Sequence, residues 1–259
     1  MTLPADIKQV FFETLYGDKT VLEFEVWLYA NKNLDNILNP EDYLELISLG
    51  YKSSTAKYDL AKLLEPLVDK GEYEKWKLLK MLAKALQRDK ELPQLLMSFY
   101  DLYCKGYSFL DNLGLGYGLA VEVPYSQADT WDELSVDQQQ KLLASFYPQL
   151  NIELTKVIDW LNSGKIILTG NKDQYNYYFD YVDNRNDEEK KPTAYQIAWG
   201  LRDKTAAYTR FYTSGADVQA ISLSAVLIDS SRLNVRCPAI VGTLSFRFYI
   251  WLQFGQTEF

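Results

Sequence analysis

Residues 72–88, with the sequence EYEKWKLLKMLAKALQR, carry the strongest structural signal in the chain. Large apolar side chains recur at helical spacing along one face, which is made of Trp76, Leu79, Leu82 and Leu86. Lysines form a second, basic face, made of Lys75, Lys77, Lys80 and Lys84. The pattern predicts an amphipathic helix whose apolar face packs against a hydrophobic core.

Helical periodicity extends from this segment in both directions, with recognisable helix boundaries. Asn39-Pro40-Glu41 predicts a helix start, because Pro fits the first helical position and acidic side chains favour the first turn. Ser135 and Gln138 have the spacing of a capping box. Pro66 and Pro148 each predict a kink or a helix end. Helices are predicted over about residues 4–16, 20–31, 40–50, 55–65, 72–88, 92–106 and 135–162.

The sequence changes character after Gly164. Residues 165–169, KIILT, are a short apolar run that ends at Gly170-Asn171, as a β-strand would. Residues 218–228 and 239–254 also predict strands, and apolar side chains alternate with others along the second of them. The chain therefore changes from a helical to a β-rich pattern.

These patterns predict an α+β protein with two parts. Residues 1–165 form a mainly α-helical N-terminal bundle, and residues 166–259 form a smaller, aromatic-rich α+β C-terminal subdomain. The polar run 183–192 within the second part is expected to be a mobile loop. The first part holds 25 acidic and 17 basic residues, whereas the second holds 10 of each. The acidic excess therefore belongs to the helical part.

The chain of 259 residues contains no histidine. This removes the commonest general base, the commonest metal ligand and the usual partner of a serine or cysteine nucleophile. An enzyme would have to use carboxylates, lysine or tyrosine. The composition favours binding over catalysis, and we expect neither a cofactor nor a resident metal.

The net charge of −8 and the isoelectric point near 4.8 bear on the kind of partner. They argue against binding to nucleic acid or an anionic membrane, which requires a basic surface. They favour a cationic protein partner, although an acidic balance also serves solubility.

Three features lead us to expect a cytoplasmic protein. The first twenty residues lack the pattern of a secretory signal, and no apolar run is long enough for a membrane helix. Cys104 and Cys237 form no CxxC pair and are expected to be reduced and buried, with a long-range disulfide as the alternative.

Three short motifs resemble catalytic signatures. Residues 113–118, LGLGYG, have a GxGxG spacing but follow a helix, so we interpret them as a helix end and a tightly packed loop. Residues 54–57, STAK, match S-x-x-K, and Tyr58 with Lys62 and Tyr73 with Lys77 match Y-x-x-x-K. Their companion motifs are missing, so a helix cap and surface pairs explain them better.

Two carboxylate clusters leave a divalent-metal enzyme as an alternative, because Mg²⁺ and Ca²⁺ prefer oxygen ligands. The first contains Asp129, Asp132, Glu133 and Asp137, and the second contains Asp183, Asp187, Glu188 and Glu189. Neither has the spacing of an EF-hand. Acidic first turns of helices and a solvated loop explain them equally.

Aromatic side chains are concentrated in residues 175–181. The tyrosines are Tyr175, Tyr177, Tyr178 and Tyr181, and Phe179 lies among them. Tyrosine offers a large contact area with a polar tip and is enriched at protein interfaces. These rings form either a partner-binding surface or part of the subdomain core. A small-ligand or peptide pocket lined by C-terminal aromatic residues is a further alternative.

Residues 8–165 resemble the immunity-type proteins of bacterial contact-dependent and polymorphic toxin systems. The resemblance rests on the residue patterns of four segments: FEVWLY (24–29), YLELISLGYK (43–52), GEYEKWKL (71–78), and FYDLY (99–103) with the Gly-Tyr and Leu-Gly pairs that follow. It implies a stoichiometric cytoplasmic inhibitor that covers a toxin's active site.

If the resemblance holds, the acidic surface receives a basic toxin, and tyrosines anchor the complex. The candidate partner-binding carboxylates are Glu41, Asp42, Glu45, Glu72, Glu74, Asp129, Asp132 and Glu133. The candidate aromatic contacts are Tyr175, Tyr177, Tyr178 and Tyr181.

Overall fold

The computed structural model describes residues 3–124, 128 and 130–190, and the backbone of residues 195–197 and 208–210. Its α-helices are α1 (Ala5–Tyr16), α2 (Val21–Ala30), α3 (Pro40–Ser48), α4 (Ala56–Leu64), α5 (Lys70–Leu86), α6 (Leu92–Cys104), α7 (Leu119–Glu122), α8 (Val136–Ser145), α9 (Gln149–Asn162) and α10 (Asp187–Lys190). Its strands are β1 (Ile166–Lys172), β2 (Phe179–Asp183), β3 (Tyr195–Ile197) and β4 (Tyr208–Arg210).

The strands form two antiparallel pairs, β1 with β2 and β3 with β4. The predicted class is confirmed, because helices dominate and a small β element follows them. The last long helix ends at Asn162 and the first strand begins at Ile166, while the division of the chain into two domains stays a prediction. The strands predicted over residues 218–228 and 239–254 lie outside the described residues.

Local capping explains why the helix boundaries follow the sequence pattern. The Thr20 and Ser135 side chains each accept the N3 amide, and the side-chain oxygens of Glu23 and Gln138 accept the amide of the cap residue. Pro40 occupies the first turn of α3. The chain continues past α4 as a 3₁₀ turn that contains Pro66, so this proline ends the α-helix as expected.

Helices α1–α4 surround one hydrophobic cluster. Phe11, Phe24 and Leu60 are almost fully buried within it. The rings of Phe11 and Phe24 lie 6.0 Å apart, and Trp27 lies 5.4 Å from Phe24. Aromatic packing therefore joins α1 to α2.

Helix α5 packs against α1 on one side and into a second hydrophobic cluster on the other. Its Trp76 ring lies 5.7 Å from Phe12 on α1, while Leu78, Leu82 and Ala85 are buried in a second cluster with α6, α9 and β1. The predicted stripe through Leu79 and Leu86 therefore needs correction, because those side chains are only partly buried. A helix packed on two sides buries a different set of positions from a helix with one apolar face.

Residues 112–118 form a π-helix, not the loop expected from the LGLGYG motif. The missing Cβ atoms let it approach α6 closely: a Cβ on Gly114 would lie 2.8 Å from the Tyr103 Cβ, and one on Gly118 would overlap the Leu96 carbonyl. The glycines therefore allow the π-helix to pack closely on α6, which agrees with the tight packing expected for this motif.

The β1–β2 hairpin packs against the start of α5. A side chain on Gly71 would overlap the backbone carbonyl of Leu168, so the strand reaches the helix only because this position is glycine. Residues 187–190 form the helical turn α10, in which Asn186 and Glu189 cap each other's amides. The expectation of a loop throughout residues 183–192 is wrong for this turn.

Cys104 at the end of α6 is disulfide-bonded, which corrects the expectation of a reduced thiol at this position. Cys237 lies outside the described residues. Disulfides persist mainly in oxidising compartments, so the cysteines no longer support the expected cytoplasmic location.

We expect Gly118→Ala to lower the free energy of unfolding by roughly 1–3 kcal/mol, because its methyl group would press on α6. Gly118 has φ −62° and ψ −50°, so alanine would introduce no backbone strain of its own. The measurement is urea unfolding of wild type and variant, followed by circular dichroism.

Gly50→Ala is the matched control, because the nearest atom to its new Cβ would be the Ser53 Cβ at 3.9 Å. We expect it to change the unfolding free energy by less than about 1 kcal/mol. Equal losses in the two variants would contradict the close-packing explanation.

Candidate protein-binding site

Helix α3 presents an acidic first turn to solvent. Pro40 starts the helix, so Glu41 and Asp42 occupy its first turn and Glu45 follows one turn later. Glu41 and Glu45 are exposed, and Asp42 is half-buried. No Lys or Arg nitrogen of the described residues lies within 4.0 Å of these three carboxylates. Their charges are therefore directed outward without an internal cation.

Glu72 and Glu74 are in a different situation at the start of α5. Lys8 of α1 lies 2.6 Å from a Glu72 oxygen, and Lys77 lies 2.8 Å from a Glu74 oxygen. Both carboxylates thus belong to internal ion pairs. Their negative charge is less available to a partner than the charge of α3.

Asp132 and Glu133 lie in a short 3₁₀ helix, residues 131–133, and are exposed. The buried Trp131 ring fixes this turn, and Gln139 donates to the Trp131 carbonyl over 3.0 Å. Asp129 lies outside the described residues. The turn offers acidic side chains on a well-anchored backbone.

The predicted acidic residues thus occupy three elements. Those of α3 adjoin the α1–α4 cluster, Glu72 of α5 pairs with Lys8 of α1, Glu74 pairs within α5, and the 3₁₀ turn belongs to the second cluster. Their action as one continuous surface stays a prediction. On α3 all three predicted carboxylates lack a nearby cation in the described part of the chain, whereas both of those on α5 are paired with lysines.

The tyrosine-rich segment divides into an exposed and an inward-facing group. Tyr175, Tyr177 and Tyr178 are exposed at the turn between β1 and β2, with Tyr175 78% exposed. One Asp173 oxygen accepts the amides of Tyr177 and Tyr178 over 2.7 and 3.2 Å. The side chain therefore orders the turn that presents these rings.

Tyr181 and Phe179 face the core. The Tyr181 ring lies 5.0 Å from Phe109, and Phe179 stacks on Tyr107 at 5.1 Å. The Tyr181 hydroxyl also shares a 2.6 Å hydrogen bond with Ser108. The segment therefore contains both rings that face solvent and rings that pack in the core. Tyr181 is the least accessible of the four predicted contacts.

The sequence prediction did not include the outer face of α2. Leu22, Val26 and Tyr29 are 53%, 70% and 58% exposed, although the opposite face carries the buried Phe24 and Leu28. The signal was present in the sequence, since eight of the ten residues of α2 are apolar. A helix that is apolar all round usually contacts something on both faces.

A polar cluster lies beneath β2 and beside the π-helix. Arg185 makes two hydrogen bonds to Asp183, at 2.8 and 3.0 Å, and its guanidinium lies 4.4 Å from the Trp160 ring centre. Burial alone would raise the pKa of Asp183, but the hydrogen bonds and charge of Arg185 hold it below its ordinary value. The cluster fixes the end of the hairpin against α9.

Glu153 of α9 is buried close to this cluster. Its oxygens accept from the Asn112 side chain over 2.9 Å and from Gln149 over 3.2 Å, and Lys156 lies 3.6 Å away. Burial raises the pKa of neighbouring Asp111, an effect that the Asn112 amide and the Arg185 charge partly offset. The hydrogen bond from Asn112 to Glu153 joins the π-helix to α9.

The carboxylate clusters considered for metal binding are dispersed in the described residues. Asp183 pairs with Arg185, Asp137 with Lys141 at 2.6 Å, and Glu189 with Lys165 at 2.5 Å. Within the described part of the chain, no three Asp, Glu or Cys side chains are grouped as metal ligands would be. The C-terminal Trp199 and Trp251, considered for a ligand pocket, lie outside the described residues.

Comparisons with protein-family models, curated proteins and solved structures find no match to this chain. Among the described residues, every helix is too short or too polar to cross a membrane.

We expect Asp111→Asn to stabilise the protein increasingly as the pH rises. The folded pKa of Asp111 lies above its unfolded value near 4, so ionisation costs folding energy above that pH, whereas below it both states are protonated. Asparagine keeps an acceptor for the Asn112 amide. Urea unfolding between about pH 4 and 7 measures the effect.

Asp101→Asn removes one carboxylate from an exposed position of α6 and is the control for lost charge. A gain for Asp111→Asn that does not change with pH, or that falls as pH rises, would show that burial does not govern this carboxyl group.

Proposed function

We propose that the chain is a protein-binding module of the immunity type, which neutralises a cationic protein by stoichiometric binding. The observation that carries the proposal is the acidic surface of α3, whose carboxylates have no cation within 4.0 Å among the described residues. Elsewhere, lysines and arginines pair with Glu72, Glu74, Asp183 and Glu189.

Unpaired carboxylates on a rigid helix suit recognition of a basic protein. Their field raises the rate of encounter with a cationic partner, and their positions disfavour partners of the wrong charge. The net charge of −8 acts in the same direction. In this proposal, lysines and arginines of the partner pair with the α3 carboxylates.

The exposed tyrosines supply a second set of contacts in this proposal. Tyr175, Tyr177 and Tyr178 lie on a turn whose backbone is ordered by Asp173, so little backbone entropy is lost when they bind. Rings with polar tips frequently carry much of the energy of an interface. A cytoplasmic location belongs to the same proposal and is tested by fractionating the native host.

We expect a tagged protein to capture one basic, stoichiometric partner from the native host at low salt, and to lose it at high salt. The double change Glu41→Lys/Glu45→Lys should then weaken binding of the purified partner by about tenfold or more near 0.1 M salt. The difference should shrink as salt is added. Surface plasmon resonance measures both rates, with the main loss in the association rate.

Glu65→Lys/Asp101→Lys is the matched control, because it reverses two exposed carboxylates outside the candidate site. Equal losses in the two double variants would mean that only total charge matters. Capture of no partner, or of one whose binding ignores both salt and these changes, would contradict the proposed function.

We expect Tyr175→Ala to weaken binding of the same partner by about 2 kcal/mol while leaving the unfolding free energy unchanged. Tyr58→Ala is its control, since that ring is exposed on α4 outside the candidate surfaces. Unchanged affinity for Tyr175→Ala, measured by calorimetry, would remove the tyrosine turn from the interface.

A further inference from the structure

Helix α2 exposes an apolar stripe made of Leu22, Val26 and Tyr29. The three side chains are spaced i, i+4 and i+7 and therefore lie on one helix face. The stripe is opposite the face that places Phe24 and Leu28 in the core. Single exposed apolar residues are ordinary, but a row of three on one helix marks an interaction site.

The stripe is held on a well-fixed helix. Thr20 and Glu23 form a capping box at its start, and the Tyr29 hydroxyl donates to the Ile47 carbonyl of α3 over 3.2 Å. This last bond joins the end of the stripe to the helix that carries Glu41 and Glu45. A partner on the stripe would therefore meet an ordered surface.

The charges around the stripe indicate what covers it. Residues 20–50 contain six carboxylates and one basic side chain, Lys32. Glu25, Glu41 and Glu45 have no Lys or Arg nitrogen of the described residues within 4.0 Å. An occupant with an apolar face and basic flanks would bury the stripe and pair these charges, whereas an acidic or neutral one would leave them unpaired.

We propose that α2 and α3 form the docking surface for an amphipathic, basic helix of a partner protein. From Leu22 to Tyr29 the stripe is about 10 Å long, the rise of seven helical residues, so it matches apolar side chains at i, i+3, i+4 and i+7 on a facing helix. This rests on the proposed function and names the part of the partner that the acidic surface receives.

The test uses the full chain and a synthetic peptide of about 15 residues, built from leucine and lysine at this helical spacing. A second peptide has the same composition in an order that forms no apolar face. Fluorescence anisotropy of each labelled peptide gives its affinity for wild type, Val26→Lys and Val136→Lys. Val136 lies on α8 and is 69% exposed against 70% for Val26, so the two variants differ only in location.

We expect the amphipathic peptide to bind wild type, to bind Val26→Lys at least about tenfold more weakly, and to bind Val136→Lys within about twofold of wild type. The scrambled peptide should bind at least about tenfold more weakly than the amphipathic one. Thermal unfolding of both variants checks that each is folded.

Three outcomes would overturn the inference. The amphipathic peptide does not bind, or both peptides bind alike, or the two lysine variants lose affinity equally. Sedimentation of wild type and Val26→Lys adds a fourth. If wild type is a dimer and Val26→Lys is a monomer, the α2 surface binds a second copy of this chain and not a partner helix. If the captured host partner still responds to Glu41→Lys/Glu45→Lys while Val26→Lys has no effect, the proposed function stands and the docking inference alone fails.

Discussion

The position of helix α5, between helix α1 and a hydrophobic cluster shared with α6, α9 and β1, is the constraint on which the rest of the fold depends. On one side, Trp76 packs against Phe12 and Tyr16 and donates a 3.1 Å hydrogen bond to Gln9. On the other, Leu78 and Leu82 are buried with α6, α9 and β1, and Gly71 admits the strand backbone. Because one helix contacts both α1 and the hairpin, its register positions these two elements together.

The same helix explains how charge is distributed. Its lysines pair with carboxylates of neighbouring elements, as Lys80 does with Asp18 and Lys84 with Glu91. Cations concentrated on α5 neutralise the acidic residues around it but do not reach α3, where Glu41 and Glu45 stay exposed. The unpaired negative charge of α3 therefore lies beside the exposed apolar side chains of α2.

Sequence patterns predicted the elements of the fold well, because proline, capping residues and apolar periodicity act within a few positions. Pro40 and the Ser135–Gln138 box predicted helix starts correctly, and the KIILT run located β1 but not its end, because the strand continues through Gly170 and Asn171 to Lys172. The buried face of α5 and the π-helix were missed, since both depend on partners distant in sequence. Ion pairs such as Lys8–Glu72, 64 positions apart, likewise require the tertiary fold. The α2 stripe was readable locally, but its exposure was not.

The ion pairs that join α5 to α1 and to the turn after it are partly exposed to solvent, so each contributes little to the stability of that junction. The aromatic rings around Trp76 supply most of the remaining contact. The α1–α4 group is consequently suited to open as a separate cooperative unit before the second cluster unfolds. Occupation of α2 and α3 would raise the free energy of that opening and slow hydrogen exchange throughout the unit, including at amides distant from the contact.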